Sequence, residues 1–145
     1  MTQQSRTIFL AEDDEDDCLI FLEALLELNC QLEIVVSRDG DELMMNLDKR
    51  VPPPPYVLFL DLNMPLKNGF DCLMEIKQID KMKGVPIVVL STSVEIKDIN
   101  KAYLLGANYY MPKPDCFSKL VEGIKKILQF DLSSRLPKQE FILQS

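Results

Sequence analysis

The chain has 145 residues, of which 47% are hydrophobic and 27% charged, and its formal net charge is −7. This length and balance fit one globular domain that buries a core without disulfides or a structural metal. The negative charge repels phosphate backbones and no basic stripe offsets it, so the composition argues against nucleic-acid binding.

Cysteine and histidine usage excludes further classes of protein. The four cysteines form no Cys-x-x-Cys pair, and the sequence contains no histidine. These facts exclude the usual zinc sites and every catalytic scheme that needs an imidazole base. The cysteines are interpreted as small, reduced core residues of a cytosolic protein. No signal peptide and no apolar stretch long enough to span a bilayer is visible, so we expect a cytoplasmic protein without membrane contact.

Apolar strand patterns alternate with amphipathic helix patterns along the chain. Strands are predicted at 7–11, 32–36, 56–60, 86–90 and 108–111. Helices are predicted at about 15–28, 41–47, 69–79, 95–105 and 115–130. Five strand–helix units predict an α/β fold in which helices cover both faces of a parallel sheet. The third and fourth strands are almost entirely apolar, as expected of strands buried on both sides.

Two segments fall outside these units. The prolines Pro52 to Pro55 are predicted to end the second helix and to form a stiff, extended connection; a ligand for a proline-recognition domain is the alternative interpretation. The domain is predicted to occupy residues 1–130, followed by a tail at 131–145. The apolar residues 141–143 of the tail are expected to pack either on the domain itself or on a partner.

Polar residues follow each strand at the sheet edge where ligands bind in doubly wound folds. They are Glu12, Asp13 and Asp14 after the first strand, Asp61 and Asn63 after the third, Ser91 and Thr92 after the fourth, and Lys113 after the fifth.

The acidic run from Glu12 to Asp17 is open to two interpretations. Negative charge at a helix N-terminus is favourable, which accounts for Glu15, Asp16 and Asp17. It accounts less well for Glu12 and Asp13, which lie at the strand end. Two unit charges about 4 Å apart repel by roughly 4 kcal/mol at an effective dielectric of 20. A carboxylate cluster at this edge therefore needs a bound cation or raised pKa values, and with only oxygen ligands available Mg²⁺ is the natural candidate for the cation.

Asp61 directly follows a buried strand, which makes it a candidate nucleophile rather than an ordinary loop aspartate. A carboxylate can form an acyl phosphate when a metal and a cationic side chain hold the charge of the transferred group. Lys113 would supply that cation, and Ser91 would supply a hydroxyl donor.

These residues resemble the receiver domain of bacterial response regulators of the chemotaxis type, over about residues 6–130. The matching motifs are Leu10–Asp14, Leu60–Pro65 with Asn68–Gly69, Val89–Thr92 and Tyr110–Pro114. Ser91 and Lys113 follow Asp61 by 30 and 52 positions, as the family would predict. The resemblance implies a flavodoxin-like (βα)5 fold with strand order 2-1-3-4-5. The sequence is also similar to stand-alone receivers that serve phytochrome-like or other hybrid sensor kinases.

The resemblance implies a metal site. Asp61 would be the phospho-acceptor, and Asp13 would bind Mg²⁺ directly. Glu12 would act mainly through water, and the main-chain carbonyl of Asn63 would complete the protein's share of the coordination together with Asp61. The acidic run continues through Asp14, so a contribution of Asp14 to the metal site stays open.

The resemblance also implies a switch. Ser91 would move to bond the phosphoryl group, and the ring of Tyr110 would rotate inward, which would alter the face formed by the fourth helix, fifth strand and fifth helix. Lys113 would contact a phosphoryl oxygen, and the Lys113–Pro114 bond would be cis. Thr92 stands where the family often has a smaller residue, so it is expected to change how readily water reaches the acyl phosphate.

The expected function is that of a phospho-acceptor switch, not an enzyme, apart from self-catalysed phosphoryl transfer and slow self-dephosphorylation. Expected partners are a sensor histidine kinase or phosphotransfer protein and a downstream protein, with neither nucleic acid nor membrane. No output domain follows, so the signal is expected to leave by protein contact or phosphorelay. A homodimer is expected through the switch face, near Tyr103, Leu104 and Tyr109, or through the tail.

Two rivals remain. A degenerate receiver would bind partners without phosphorylation. An aspartyl-nucleophile phosphohydrolase would need a second aspartate two positions after Asp61 as general acid; this chain has Asn63, which cannot protonate a leaving group.

Overall fold

The alternating patterns form a five-stranded parallel sheet with helices on both faces. The structure is a computed structural model and describes residues 7–29, 31–129 and 141–142. The strands are β1 (Thr7–Ala11), β2 (Glu33–Ser37), β3 (Val57–Asp61), β4 (Ile87–Ser91) and β5 (Tyr109–Pro112). The helices are α1 (Glu15–Glu27), α2 (Gly40–Arg50), α3 (Gly69–Ile76), α4 (Ile96–Leu104) and α5 (Phe117–Gln129), with a 3-10 turn at Asp80–Met82.

The sheet order is β2-β1-β3-β4-β5, which confirms the predicted doubly wound fold. Every residue of β3 and β4 is buried, because helices cover both faces of these central strands. Alternate side chains of each strand point to opposite faces, so the core divides into two layers. One layer contains the buried faces of α1 and α5, and the other contains those of α2, α3 and α4.

Strands β2 to β5 each end one residue later than the sequence pattern predicts. The parallel pairing continues through the first polar residue, since Asp61 pairs with Leu90 and Ser91 pairs with Pro112. The backbone pairing of a sheet does not depend on side-chain polarity, whereas the predicted boundaries followed the last apolar residue.

Side-chain caps set where three helices begin. Asp14 accepts a hydrogen bond from the backbone N–H of Asp17 at 3.0 Å and starts α1. Asp39 and Asn68 cap α2 and α3 in the same way. The cap at Asp39 explains why α2 begins before the predicted residue 41.

Two of the cysteines lie in the core as predicted, namely Cys18 and Cys72. The prediction was wrong for Cys116, which is exposed in the turn before α5. Cys30 lies outside the described residues.

Tyr109, predicted near the surface used for dimerisation, is 3% exposed and belongs to the core layer beneath α1 and α5.

The described part of the C-terminal tail packs on its own domain. Phe141 is fully buried, and Ile142 forms an isolated parallel bridge with Tyr110 of β5. The structure thus favours the first of the two placements that the sequence left open. The remaining tail residues lie outside the described part. Among the described residues, no helix is long and apolar enough to cross a membrane.

Candidate functional site

The sheet register brings the ends of β1 and β3 together. Ala11 pairs with Leu60, so the next residues along the two strands, Glu12 and Asp61, are neighbours at the carboxyl edge. The backbone N–H of Glu12 also donates to Ser37 O at 2.9 Å, which holds the start of the acidic run against β2.

Three carboxylates converge at this edge. Glu12, Asp13 and Asp61 each offer an oxygen, and these oxygens all lie within 4.8 Å of one another. Glu12 and Asp61 are 2% and 3% exposed, whereas Asp13 faces solvent. The cluster therefore has two buried members and one member at its open side.

Lys113 joins this cluster from the end of β5. Its Nζ lies 2.7 Å from Glu12 Oε1, 3.0 Å from Asp17 Oδ2 and 3.4 Å from Asp61 Oδ2. The backbone N–H of Lys113 donates to Ser91 O at 2.8 Å, so the pairing of β4 with β5 delivers the lysine to the site.

The cluster raises the pKa of both its acid, Glu12, and its base, Lys113. Burial, with the hydrogen-bonded carboxylate of Asp61, raises the pKa of Glu12 to about 8, although Lys113 opposes this rise. Burial would lower the pKa of Lys113, but the surrounding carboxylates outweigh it and hold that pKa above its ordinary value. Lys113 is therefore a permanent cation, and Glu12 gives up its proton only at mildly alkaline pH.

Asp17 belongs to the site although the sequence analysis assigned it to the helix N-terminus. Its carboxylate contacts Lys113 from the first turn of α1. Nothing in the sequence pattern distinguishes it from the neighbouring acids Glu15 and Asp16, because its contact with Lys113 depends on the fold.

Local turns orient the neighbouring groups. The backbone N–H of Asn63 donates to Asp61 Oδ1 at 3.1 Å, so each carboxylate oxygen of Asp61 has a nearby partner. Asp14, through its cap on α1, has its side chain engaged outside the three-carboxylate cluster. Its contribution to a metal site stays a prediction.

Gly69 allows α3 to begin against the end of β3. A Cβ at this position would lie 2.5 Å from Asp61 O and 2.6 Å from Leu62 Cα, both backbone atoms. The backbone N–H of Gly69 donates to Leu62 O at 2.9 Å. At the end of this turn the backbone of residue 69 therefore lies so close to the backbone of Asp61 and Leu62 that only glycine fits.

Ser91 lies at the end of β4 and is 1% exposed. Its Oγ accepts a hydrogen bond from the backbone N–H of Ser93 at 3.0 Å. Ser93, which the sequence analysis did not single out, also donates from its hydroxyl to Asp98 Oδ2 at 2.7 Å, which ties the turn to α4. Thr92 between them is exposed.

The ring of Tyr110 is fully buried and lies in the inward position. Its hydroxyl donates to Ser93 O at 2.9 Å. Burial raises the pKa of this hydroxyl, which therefore stays protonated and able to donate at neutral pH.

The expected cis bond between Lys113 and Pro114 is not present. The cis peptide bonds of the described residues are Val51–Pro52 and Pro52–Pro53. The Lys113–Pro114 bond is trans, and Lys113 Nζ lies beside the carboxylates of Glu12 and Asp61 in this arrangement.

An open cleft of about 350 Å³ adjoins the cluster between α1 and α5. Its walls are mainly apolar, with Ile20 and Phe21 on one side and Phe117 and Leu120 on the other, and Lys113 at one end. Lys113, Glu12 and Asp17 therefore line a cleft that is open to solvent.

Comparison with known proteins agrees with this geometry. The profile of the response regulator receiver domain matches residues 8–125. The chain belongs to the response-regulator receiver family, whose members act in two-component signalling and are generally phospho-acceptor switches rather than enzymes.

Within this family the chain is similar to regulators linked to phytochromes. It is 36% identical over 128 residues to response regulator Rcp1 of Synechocystis sp., covering 83% of this chain and 86% of that protein. The solved structure of the phosphorylated cyanobacterial phytochrome response regulator RcpA matches with a TM-score of 0.80 and 38% identity, covering 92% of this chain and 99% of that one. The Mn²⁺-bound form of Rcp1 matches with a TM-score of 0.77 and 34% identity, covering 91% and 99%.

Proposed function

We propose that Asp61 accepts a phosphoryl group in a Mg²⁺-dependent reaction and that this modification switches the α4–β5–α5 face for partner binding. The observation that carries the proposal is the convergence of Glu12, Asp13 and Asp61 around a lysine held by β5. In this proposal residues 1–130 form the receiver domain and 131–145 its C-terminal tail.

The residues present fit a hard divalent cation. All three clustered side chains offer carboxylate oxygens, which are the ligands that Mg²⁺ prefers. The pKa of Glu12 is raised first by burial and then by the neighbouring carboxylate of Asp61, and Lys113 only partly opposes this rise. Asp13 and Asp61 would contact the ion directly, Glu12 mainly through water, and the main-chain carbonyl of Asn63 would add a further oxygen. The Mn²⁺-bound form of the relative Rcp1 supports a divalent site of this kind.

In the proposed reaction a carboxylate oxygen of Asp61 attacks phosphorus. The new O–P bond forms as the bond between phosphorus and the donor's leaving group breaks, and the leaving group departs with the bonding electrons. Lys113, which the site keeps protonated, neutralises charge on the phosphoryl oxygens. The hydroxyl of Ser91 donates to another of these oxygens, and Thr92 stands beside the path of hydrolytic water. A bound Mg²⁺ would offset the remaining charge on the phosphoryl group.

The modified aspartate then biases the remote face. Ser91, Ser93 and Tyr110 form a continuous hydrogen-bonded path from the strand ends to β5. A phosphoryl group that engages Ser91 would stabilise one arrangement of this path and of α4. A sensor histidine kinase or phosphotransfer protein would supply the group, and a downstream protein would read the face.

The same face is the proposed homodimer surface. Leu104 on α4 is 79% exposed, which leaves an apolar contact available there. Light scattering with and without beryllofluoride, a phosphoryl mimic, should show a higher mass with the mimic; equal monomeric masses would contradict the dimer.

Intact-mass measurement after incubation with acetyl phosphate tests the main proposal. The wild type should gain one phosphoryl group with Mg²⁺ and none with a chelator. Asp61→Asn should gain none, while Asp16→Asn, which removes an exposed acid of the same run, should behave as the wild type. Equal modification of Asp61→Asn, or no modification of the wild type, would contradict the proposal.

A further inference from the structure

Phe141 fills the space beside Tyr110. Its side chain is fully buried, with its ring centroid 6.2 Å from that of Tyr110 and 5.1 Å from that of Tyr103. The contact with Tyr103 is edge-to-face at 79°, a favourable arrangement of two aromatic rings. One tail residue therefore packs between the aromatic side chains of α4 and β5.

The tail is also joined to Tyr110 through the backbone. The N–H of Tyr110 donates to Phe141 O at 3.1 Å, and Ile142 pairs with Tyr110 in a parallel bridge. Ring contact and backbone hydrogen bond thus act on the same residue of β5. Among the described residues, this is the point where the tail meets the sheet.

Tyr110 connects this contact to the strand ends. Its hydroxyl donates to Ser93 O, and the N–H of Ser93 donates to the hydroxyl oxygen of Ser91. The path from Phe141 to Ser91 consequently runs through one ring contact and two hydrogen bonds. Each step joins groups that are buried or partly buried, where competing water is scarce.

We infer that Phe141 is a positioning residue for phosphorylation, because it holds the Tyr110 ring inward and thereby fixes the Ser91 hydroxyl at the site. This inference rests on the proposed phosphorylation of Asp61. The tail is then an intramolecular activator that favours the arrangement able to receive the phosphoryl group. Without the Phe141 ring, the Tyr110 ring borders a cavity and can turn outward, which frees the Ser93 carbonyl and loosens the turn that holds Ser91.

The effect should be confined to the Ser91 side of the site. The three clustered carboxylates come from the ends of β1 and β3, and neither strand pairs with β5. Phe141→Ala should therefore leave the affinity for Mg²⁺ unchanged. Its phosphorylation rate with acetyl phosphate at saturating Mg²⁺ should fall by roughly three- to tenfold, as expected for a slightly misplaced donor. Phe141→Tyr, which keeps the ring, should retain most of the rate.

A matched control distinguishes a positioning role of Phe141 from a role in stability alone. Leu47 is fully buried in the same apolar layer but lies on α2, which packs beside β2 at the other end of the sheet. Leu47→Ala should lower the melting temperature without slowing phosphorylation of the folded protein. If Leu47→Ala slows phosphorylation as much as Phe141→Ala, the positioning role is wrong.

Two further measurements locate the effect at Tyr110. In protein carrying ring-labelled tyrosine, the Tyr110 signals, assigned with Tyr110→Phe, should shift toward solvent-exposed values in Phe141→Ala. In the Tyr110→Phe background, Phe141→Ala should cause no additional loss of rate, since the hydroxyl link is already absent. Buried Tyr110 signals in Phe141→Ala, or fully additive losses, would overturn the inference. If the wild type accepts no phosphoryl group, the proposed function fails, and the ring signals alone still decide whether Phe141 holds Tyr110.

Discussion

Lys113 and Glu12 lie 101 positions apart in the sequence, yet Lys113 Nζ is 2.7 Å from Glu12 Oε1. The glutamate side chain is 3% exposed and the lysine side chain 20% exposed, so their contact is largely shielded from water. The lysine serves as the internal counter-charge of the carboxylate cluster. The pair therefore links the stability of the fold to the charge state of the site.

Replacing Lys113 should separate stability from metal affinity. Lys113→Ala leaves Glu12 and Asp61 buried without their cation, which should lower the free energy of unfolding in metal-free buffer by about 2–3 kcal/mol. Because the same change leaves the site more negative, Mg²⁺ should raise the melting temperature of the variant by more than it raises that of the wild type. Thermal unfolding with and without Mg²⁺ measures both.

Lys97→Ala is the matched control for this variant. Lys97 is 79% exposed and pairs with the exposed Glu95, so its removal should change neither quantity measurably. An Mg²⁺ response of Lys113→Ala equal to or smaller than that of the wild type would contradict the assigned counter-charge.

The pKa of Glu12 predicts how metal binding depends on pH. In the folded protein the pKa of the Glu12 carboxyl is about 8, above its ordinary value of 4.5. Between these two pH values the folded protein keeps a proton on Glu12 that the unfolded chain has released. The stabilising effect of that proton is complete below pH 4.5 and is lost as the pH rises through 8. A cation favours the ionised form, so Mg²⁺ affinity should increase by up to about tenfold per pH unit below 8 and level off above it. Mg²⁺ titrations from pH 6 to 9 would measure this slope, and Glu12→Gln should flatten it; an equal slope in that variant would assign the proton to another group.

Gly69 provides a test of how closely the backbone must pack at the site. In Gly69→Ala the added methyl group would meet the backbone of Asp61 and Leu62, so the end of β3 must shift. We expect a loss of about 1–3 kcal/mol in unfolding free energy together with weaker Mg²⁺ binding. Gly84→Ala is the control, because Gly84 has φ +87° and a methyl group added there would meet no heavy atom within 4 Å. It should lower stability through backbone strain and leave Mg²⁺ affinity intact.

Substitutions of Asp14 can distinguish a role in metal binding from its role as the N-cap of α1. Asp14→Ser keeps an oxygen that can accept from the N–H of Asp17, so α1 should remain capped and stability should change little. If capping is the main role of Asp14, Mg²⁺ affinity should also stay close to that of the wild type. A large loss of Mg²⁺ affinity in Asp14→Ser would make Asp14 a member of the metal site. Asp14→Ala, which removes the cap, should cost about 1 kcal/mol and serves as the positive control for capping.

The sheet and the main site groups were predictable because their signals are local. Buried strands appear as apolar runs, and Asp61 and Ser91 stand directly after two of them. Parallel strands end at one edge, so a polar residue after each strand is sufficient to place those residues together. The predicted strand ends were early by one residue, since pairing extends through those same polar residues.

The remaining features depend on contacts between distant parts of the chain. Asp17 has the pattern of an ordinary acidic residue at a helix N-terminus, and only the fold brings Lys113 beside it. The sequence predicted that the apolar residues 141–143 would pack somewhere. It did not indicate that Phe141 would pack against Tyr110, because the two residues are distant in the chain. The trans bond at Pro114 corrects an expectation that came from the family resemblance and not from local chemistry.

The most direct test of the account is chemical mapping of the acyl phosphate. The protein is incubated with acetyl phosphate and Mg²⁺ and then reduced with borohydride, which converts a phosphorylated aspartate to homoserine. Peptide mass spectrometry should find homoserine at position 61, with none when Mg²⁺ is chelated. Homoserine at Asp13 or another acid instead of Asp61, or its formation at 61 without a divalent cation, would contradict the account.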